Sequence, residues 1–310
     1  MSLAPDYFDL QVNGYGGVNF NEEEFTAQTV HAACQMLAEH GVSGILATFI
    51  TGQIPRMCAC MRALAQIRQR DPLVKKMIAG FHIEGPFLSS VDGYRGAHDL
   101  DAIKPPDVSL MSQLLEAGGG LTRLVTIAPE LDNGLRVTRM LVKQGIAVSA
   151  GHCNPSVAQL EAAIDAGLGF YTHLGNGCPM QMHRHDNIIQ RALSLAGRLW
   201  LMFIADGAHI PYFALANYLK SAGLERTIVV TDAVAPAGIG PGRYHVGSWD
   251  MVVGDDLVAM APDRSHLLGS VMPFPQAAAH LRERLGLSQA DVRRLTSINP
   301  RKALGMETGN

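Results

Sequence analysis

Along this chain, short apolar runs rich in β-branched residues alternate with longer stretches of helical spacing. The candidate strands are YFDLQV, GILATFI, MIAGFHIEG, LTRLVTIAPE, IAVSAGH, GFYTHL, LWLMFIADG and TIVVTDA. Segments such as EEEFTAQTVHAACQMLAEHG and PSVAQLEAAIDAG lie between them and carry helical periodicity, the second ending in a glycine stop. Strict alternation of this kind predicts βα units and a parallel sheet. Eight strands are what a closed (β/α)8 TIM barrel of the α/β class needs. After the eighth, GRYHVGSWDMVVGDDLVAMAPDRSHLLGS reads as a small β insertion, and helices follow to the C-terminus. Leu174 to Arg198 is irregular. With no repeat, low-complexity tract or linker, residues 1–310 are expected to form a single domain.

Within the first strand the pattern places Asp9, Gln11 and Asn13 on one face and Phe8, Leu10 and Val12 on the other. Two amides at a strand end, followed by a Gly-rich turn, suggest the edge of a polar pocket. Composition narrows the possibilities. At 310 residues with 47% hydrophobic residues the chain can bury a large core. A net charge of −3 with dispersed charges gives no footprint for nucleic acid or anionic lipid. No apolar run reaches the roughly 20 residues of a membrane span, and MSLAPDYFDL lacks the regions of a signal peptide. The five scattered cysteines, Cys34, Cys58, Cys60, Cys153 and Cys178, are expected as reduced thiols in a cytoplasmic protein. Cys58 and Cys60 sit two apart on a helical stretch and suit packing better than metal binding.

Chemistry gathers where the strands end: Glu84, Glu130, His152, His173, Asp206 with His209, and Asp232. In an α/β barrel those ends form the active-site rim. A single histidine or aspartate there is commonly a buried group satisfied by backbone; seven on one rim are hard to explain by packing. Glu84, His152 and His173 form a donor set suited to a catalytic Zn2+ site with one position open for water. The two histidines are 21 residues apart, about one βα unit, which places them on neighbouring strands. The competing reading of this triad is two structural histidines. Asp232 can serve as base and then acid across from the metal. Its other reading is a helix cap, which the Pro- and Gly-containing continuation TDAVAPAG disfavours.

The ordered set HIEGPFLSS…RGAHD, VSAGHCNPS, THLGNGCPM, IADGAHIPY, VVTDAVAPAG and TSINPRKALGM resembles the N-acetylglucosamine-6-phosphate deacetylase family of the amidohydrolase superfamily. The resemblance runs from YFDLQVNGYGG almost to the C-terminus. It implies metal ligands at Glu84, His152 and His173, a catalytic Asp232, and a His209 that faces the substrate carbonyl or sugar. It also implies sugar contacts at Ala97, His98, Asn176, Gly177, His209 and Leu268, Gly269 and Ser270, with Arg184 on the substrate phosphate, where a guanidinium fork suits the oxygens. Where many amidohydrolases carry His-x-His, this chain has Gln11 and Asn13, as in the single-metal branch. These amides are expected to hydrogen-bond around the site, because an amide is a poor transition-metal ligand beside imidazole.

The implied activity is hydrolysis of the acetamide of an N-acetylated amino sugar 6-phosphate. It would use one divalent ion per chain, Zn2+ first, with Fe2+ or another divalent ion as alternatives. The expected partners are that small molecule and a second copy in a homodimer, with neither nucleic acid nor membrane. Three departures bear on the substrate. The β-sandwich that usually frames the barrel is expected to be missing, HRHDN replaces a segment usually close to HHREPG, and FLSSVDGYRGAH is slightly long and carries Arg95. The alternatives are an amidohydrolase acting on another N-acyl amine or cyclic amide, and a non-catalytic sugar-phosphate-binding protein.

Overall fold

A computed structural model describes residues 6–247 and 249–306. Eight parallel strands follow one another around a barrel in chain order: β1 (Tyr7–Val12), β2 (Val42–Ile50), β3 (Ile78–Glu84), β4 (Thr122–Ile127), β5 (Ala147–Ala150), β6 (Phe170–Tyr171), β7 (Trp200–Ile204) and β8 (Thr227–Val230). The seam between β8 and β1 is closed just past the strands. Asn13 and Gly14 donate their N–H groups to the Ala233 carbonyl at 2.7 and 3.2 Å, and Val12 bridges Ala233. Lower on the seam, the buried Asp9 carboxylate accepts the Thr231 hydroxyl at 2.5 Å and the Thr231 and Gln11 amides.

All eight expected strands are present. The strict alternation expected in β1 is not. The pairing with β2 shifts register between Asp9 and Val12, so one strand carries an extra residue there. Phe8 and Leu10 consequently pack into the barrel interior with Leu46, Leu124, Met202 and Val230, whereas Val12 joins the cluster outside the barrel. Gln11 reaches inward to Glu84.

The interior is layered. At its floor, the apolar cluster is met by Ala303, Leu304 and Met306 from the C-terminal segment. Above it runs a buried polar belt: His82 Nε2 and the Thr172 hydroxyl each lie 2.7 Å from the Thr126 hydroxyl, and Ser149 lies 2.7 Å from Thr172. The strand ends with their ionisable groups stand above that belt.

The helices cover the outside. In α1 (Ala27–Glu39), Val30, Ala33, Cys34 and Leu37 are buried, the one-face spacing that packs a helix on a sheet. Thr26 caps its first turn, and Ser156 does so for α2 (Val157–Asp165), the helix that follows β5. Past β8, an antiparallel sheet of β9 (Gly242–Val246), β10 (Trp249–Val253), β11 (Val258–Met260) and β12 (Leu267–Ser270) forms the expected insertion. The segment Leu174 to Arg198 is a run of bends and turns up to the short helix α3 (Ile188–Ser194). Among the described residues no helix is long and apolar enough to cross a membrane, and the five cysteines are free.

Candidate active site

A cavity of about 560 Å3 opens at the C-terminal ends of the strands. Glu84 enters it from the end of β3, His152 from just past β5, His173 from just past β6 and Asp232 from just past β8. His152, His173 and Asp232 all sit at positive φ (49°, 30° and 53°), a conformation that ordinary side chains seldom adopt. Residues held this way cost free energy and persist where the surroundings over-determine them. Here the backbone turns sharply as it leaves the strand, and the side chain is thrown over the mouth.

The donor atoms converge. His173 Nε2 lies 2.9 Å from Glu84 Oε1, His152 Nε2 lies 3.4 Å from the same oxygen, and the two imidazole nitrogens are 3.2 Å apart. Ligands about 2.0–2.1 Å from a tetrahedral zinc ion stand roughly 3.3 Å from one another, so these three atoms fit three corners around one ion. His98 Nε2 lies 3.1 Å from His152 Nε2 and belongs to the same buried group. The His152 tautomer is fixed, because Nδ1 donates to the Tyr94 carbonyl at 2.9 Å and leaves the Nε2 lone pair facing the other donors.

Burial drives Glu84 and Asp232 in the same direction, and their neighbours then separate them. The Glu84 carboxyl is pushed up by burial, but hydrogen bonds and charge from His152 and His173 outweigh this and hold it well below the usual glutamate range. Asp232 is raised, by burial first and by the Glu84 charge second. Burial drives the His98 imidazole down to about 3, so it stands neutral at the edge of the group.

The two amides of the first strand account for themselves here. Gln11 Nε2 donates to Glu84 Oε2 at 2.9 Å, and Asn13 Nδ2 donates to Asp232 Oδ1 at 2.7 Å. Each side chain turns its N–H toward a carboxylate and fixes which oxygen is free for other work. His209 lines the cavity with a largely buried side chain. Its Nδ1 is 2.6 Å from Asp206 Oδ2, while Asp206 Oδ1 accepts the amides of Ala208 and His209.

Among the other expected positions, Ala97, His98, Asn176, Gly177, Leu268 and Gly269 line the cavity. Ser270 does not. It is buried beside the wall, where its backbone donates to the Asp232 carbonyl and accepts from the Val234 amide. Arg184 is exposed and lies outside the lining residues. Glu130, counted on the rim from sequence, also stays out of the cavity. A short turn at Pro129–Leu131 swings its carboxylate onto the Asn154 amide at 2.6 Å. Sequence reasoning missed the contribution of the insertion, whose Val246, Trp249 and Met260 form one wall. It missed the Tyr94 carbonyl as well, which has no side-chain signature.

No family model matches the chain. It is 33% identical to a human N-acetylglucosamine-6-phosphate deacetylase over 98% of its own length and 75% of that protein's. The chain belongs to the N-acetylglucosamine-6-phosphate deacetylase family. A second relative, 28% identical, is an N-acetylgalactosamine-6-phosphate deacetylase from Escherichia coli O157:H7, of which the chain covers 78%. Among solved structures, a mutant N-acetyl-D-glucosamine-6-phosphate deacetylase from Mycobacterium smegmatis, in complex with N-acetyl-D-glucosamine-6-phosphate, matches with a TM-score of 0.87 and 30% identity. That match covers 98% of this chain and 78% of the other. The chain therefore spans about three-quarters of the length of these deacetylases.

Proposed function

We propose that this protein is a metal-dependent deacetylase that hydrolyses the acetamide of an N-acetylated amino sugar 6-phosphate to acetate and the amino sugar phosphate. The observation that carries the reading is the convergence of Glu84 Oε1 with the Nε2 atoms of His152 and His173, in one cavity with the half-buried Asp232. Glu84, His152 and His173 would hold one divalent ion, Zn2+ in first place. When bound, the ion supplies Lewis acidity and lowers the pKa of water.

The chain's own residues do the rest. Asp232, its carboxyl raised by burial and by Glu84, takes a proton from the attacking water and returns it to the leaving nitrogen. Asn13 holds one Asp232 oxygen so that the other is presented to the water. His209, oriented by Asp206, donates to the carbonyl oxygen as it gains charge. Gln11 keeps the second Glu84 oxygen from straying. His98, Asn176 and the chain at Ala97, Gly177, Leu268 and Gly269 hold the sugar. Both amides turn an N–H group toward a carboxylate, and an amide is a poor transition-metal ligand beside imidazole, which supports a single ion per chain.

No lysine or arginine is among the cavity's lining residues. In this reading the phosphate meets Arg184 of a second copy in a homodimer, reaching over from its exposed segment. Residues 1–310 act as one domain. The five free cysteines, four of them buried, support a cytoplasmic setting.

The test is acetate release from N-acetylglucosamine 6-phosphate, its galacto epimer, both unphosphorylated sugars and a panel of N-acyl amino acids, before and after chelation. Chelator-sensitive turnover of a phosphorylated sugar is expected, and the 28% identical galactosamine enzyme is the reason to include the epimer. Faster turnover of an N-acyl amino acid would replace this substrate assignment.

A further inference from the structure

Two loops converge on the His152 imidazole, and each meets it with a glycine. One runs from the end of β3 past Tyr94 and His98; the other leaves β6 and carries Asn176. At Gly96 (φ +60°) a Cβ would lie 2.9 Å from His152 Cε1 and 3.2 Å from Nδ1. At Gly177 (φ +59°) it would lie 2.7 Å from Nδ1, 2.9 Å from Cε1 and 3.1 Å from Cγ. Both contacts include Nδ1, which donates to the Tyr94 carbonyl, and the neighbouring Cε1, while the other nitrogen, Nε2, meets the converging donors. The loops also touch each other directly: a Cβ at Gly93 would stand 2.7–2.9 Å from three atoms of Pro179. The first loop is tied back as well, through the Ser89 amide donating to the His152 carbonyl at 3.0 Å.

We infer that Gly96 and Gly177 are positioning residues: their bare backbones form a cradle that sets how far His152 Nε2 reaches toward Glu84 Oε1 and His173 Nε2. A methyl group at either position leaves the ring two ways to yield, toward the other donors or out of its bond with Tyr94. The donor spacing, now 3.2–3.4 Å around His152, would then change. The cradle also joins ion binding to the sugar side of the site, because the same two loops carry His98 and Asn176. Glycine is required at each position for two reasons: the backbone needs it for its positive φ, and the imidazole needs it for room.

The inference rests on the metal reading above, and its test separates the two. Gly96→Ala and Gly177→Ala are compared with Gly119→Ala, a glycine of matching φ (+57°) with nothing within 4 Å of its Cβ position. Affinities for Co2+ and Zn2+ are measured by competition with a chromophoric chelator, and the Co2+ absorption bands report ligand geometry. The two cradle variants should bind about 10- to 100-fold more weakly, with altered Co2+ bands, while the Gly119 variant binds as the parent does. Parent-like affinity and bands in both cradle variants would overturn the cradle. An equal loss in the Gly119 variant would do the same, since backbone strain alone would then be the cause. If the parent binds neither ion, or if His152→Ala leaves its affinity unchanged, the metal reading itself fails. A second measurement covers variants that fold poorly: in metal-free protein carrying His152→Ala, Gly177→Ala should lower the melting temperature no more than Gly119→Ala does. A larger drop there would show that something other than the ring opposes the methyl group.

Discussion

Glu84 and Asp232 share one cavity, are both pushed up by burial, and end shifted in opposite directions. Glu84 is held down by two imidazoles that hydrogen-bond it, whereas Asp232 receives a single amide and a nearby negative charge. Separation of two carboxyls by their surroundings supports the proposed roles of ligand for Glu84 and base for Asp232. Asp232→Asn should cut turnover by about 1,000-fold or more while elemental analysis still finds one ion per chain. Asp9 makes a different prediction. Burial pushes its carboxyl up to about 7 against the lowering effect of the Thr231 hydroxyl and the Gln11 and Thr231 amides. With the folded value above the unfolded one, the contribution to stability is complete below pH 3.8 and is lost as pH rises through 7. The swing is on the order of 4 kcal/mol. Denaturant melts between pH 4 and 8 should show stability falling along this window, and Asp9→Asn should flatten the slope. At this scale the sequence placed Glu84, His152, His173, His209 and Asp232 on one rim, and the structure brings all five into one cavity. The sequence misled at Glu130, whose direction is decided by the turn at Pro129–Leu131, and was silent on the Tyr94 carbonyl.

The strands were legible because barrel strands covered on both faces read as apolar runs, and each of these runs into polar residues at the rim. What escaped the pattern is the extra residue in β1. A period-two reading assumes an unbroken ladder, and the shift between Asp9 and Val12 lets Leu10 and Gln11 both serve the interior, one as core and one as Glu84's partner. Neighbouring strands answer that geometry. A Cβ at Gly44 would stand 2.6 Å from the buried Phe8 ring, at a position where φ imposes no need for glycine. Gly44→Ala should therefore destabilise by about 1–3 kcal/mol through overpacking alone. Adding Phe8→Leu should recover part of the loss, as chemical denaturation of the two variants would show.

Taken as a whole, the molecule places Glu84, His152, His173, Asp232 and most of the proposed sugar-contacting residues in a single cavity and leaves Arg184 outside it. If a second copy delivers that guanidinium, Arg184→Ala should raise KM for the phosphorylated sugar at least tenfold with little change in kcat, the signature of uniform binding. Sedimentation should find the parent as a dimer. Unchanged kinetics for Arg184→Ala would refute the role. The insertion's existence was readable from its turn residues, but its place as a wall of the mouth was not, since nothing local says which way a four-stranded sheet will lean.

The barrel floor has a consequence for how the chain is made. Ala303, Leu304 and Met306 pack beneath side chains contributed by strands from both halves of the sequence, and Asn299 bonds the Leu224 and Thr227 carbonyls at the start of β8. The piece that stoppers the cylinder thus leaves the ribosome only after all eight barrel strands. Until then the aliphatic filling of the earliest strands stays open to water from below, and a polypeptide stalled shortly before this segment would be a client for chaperones.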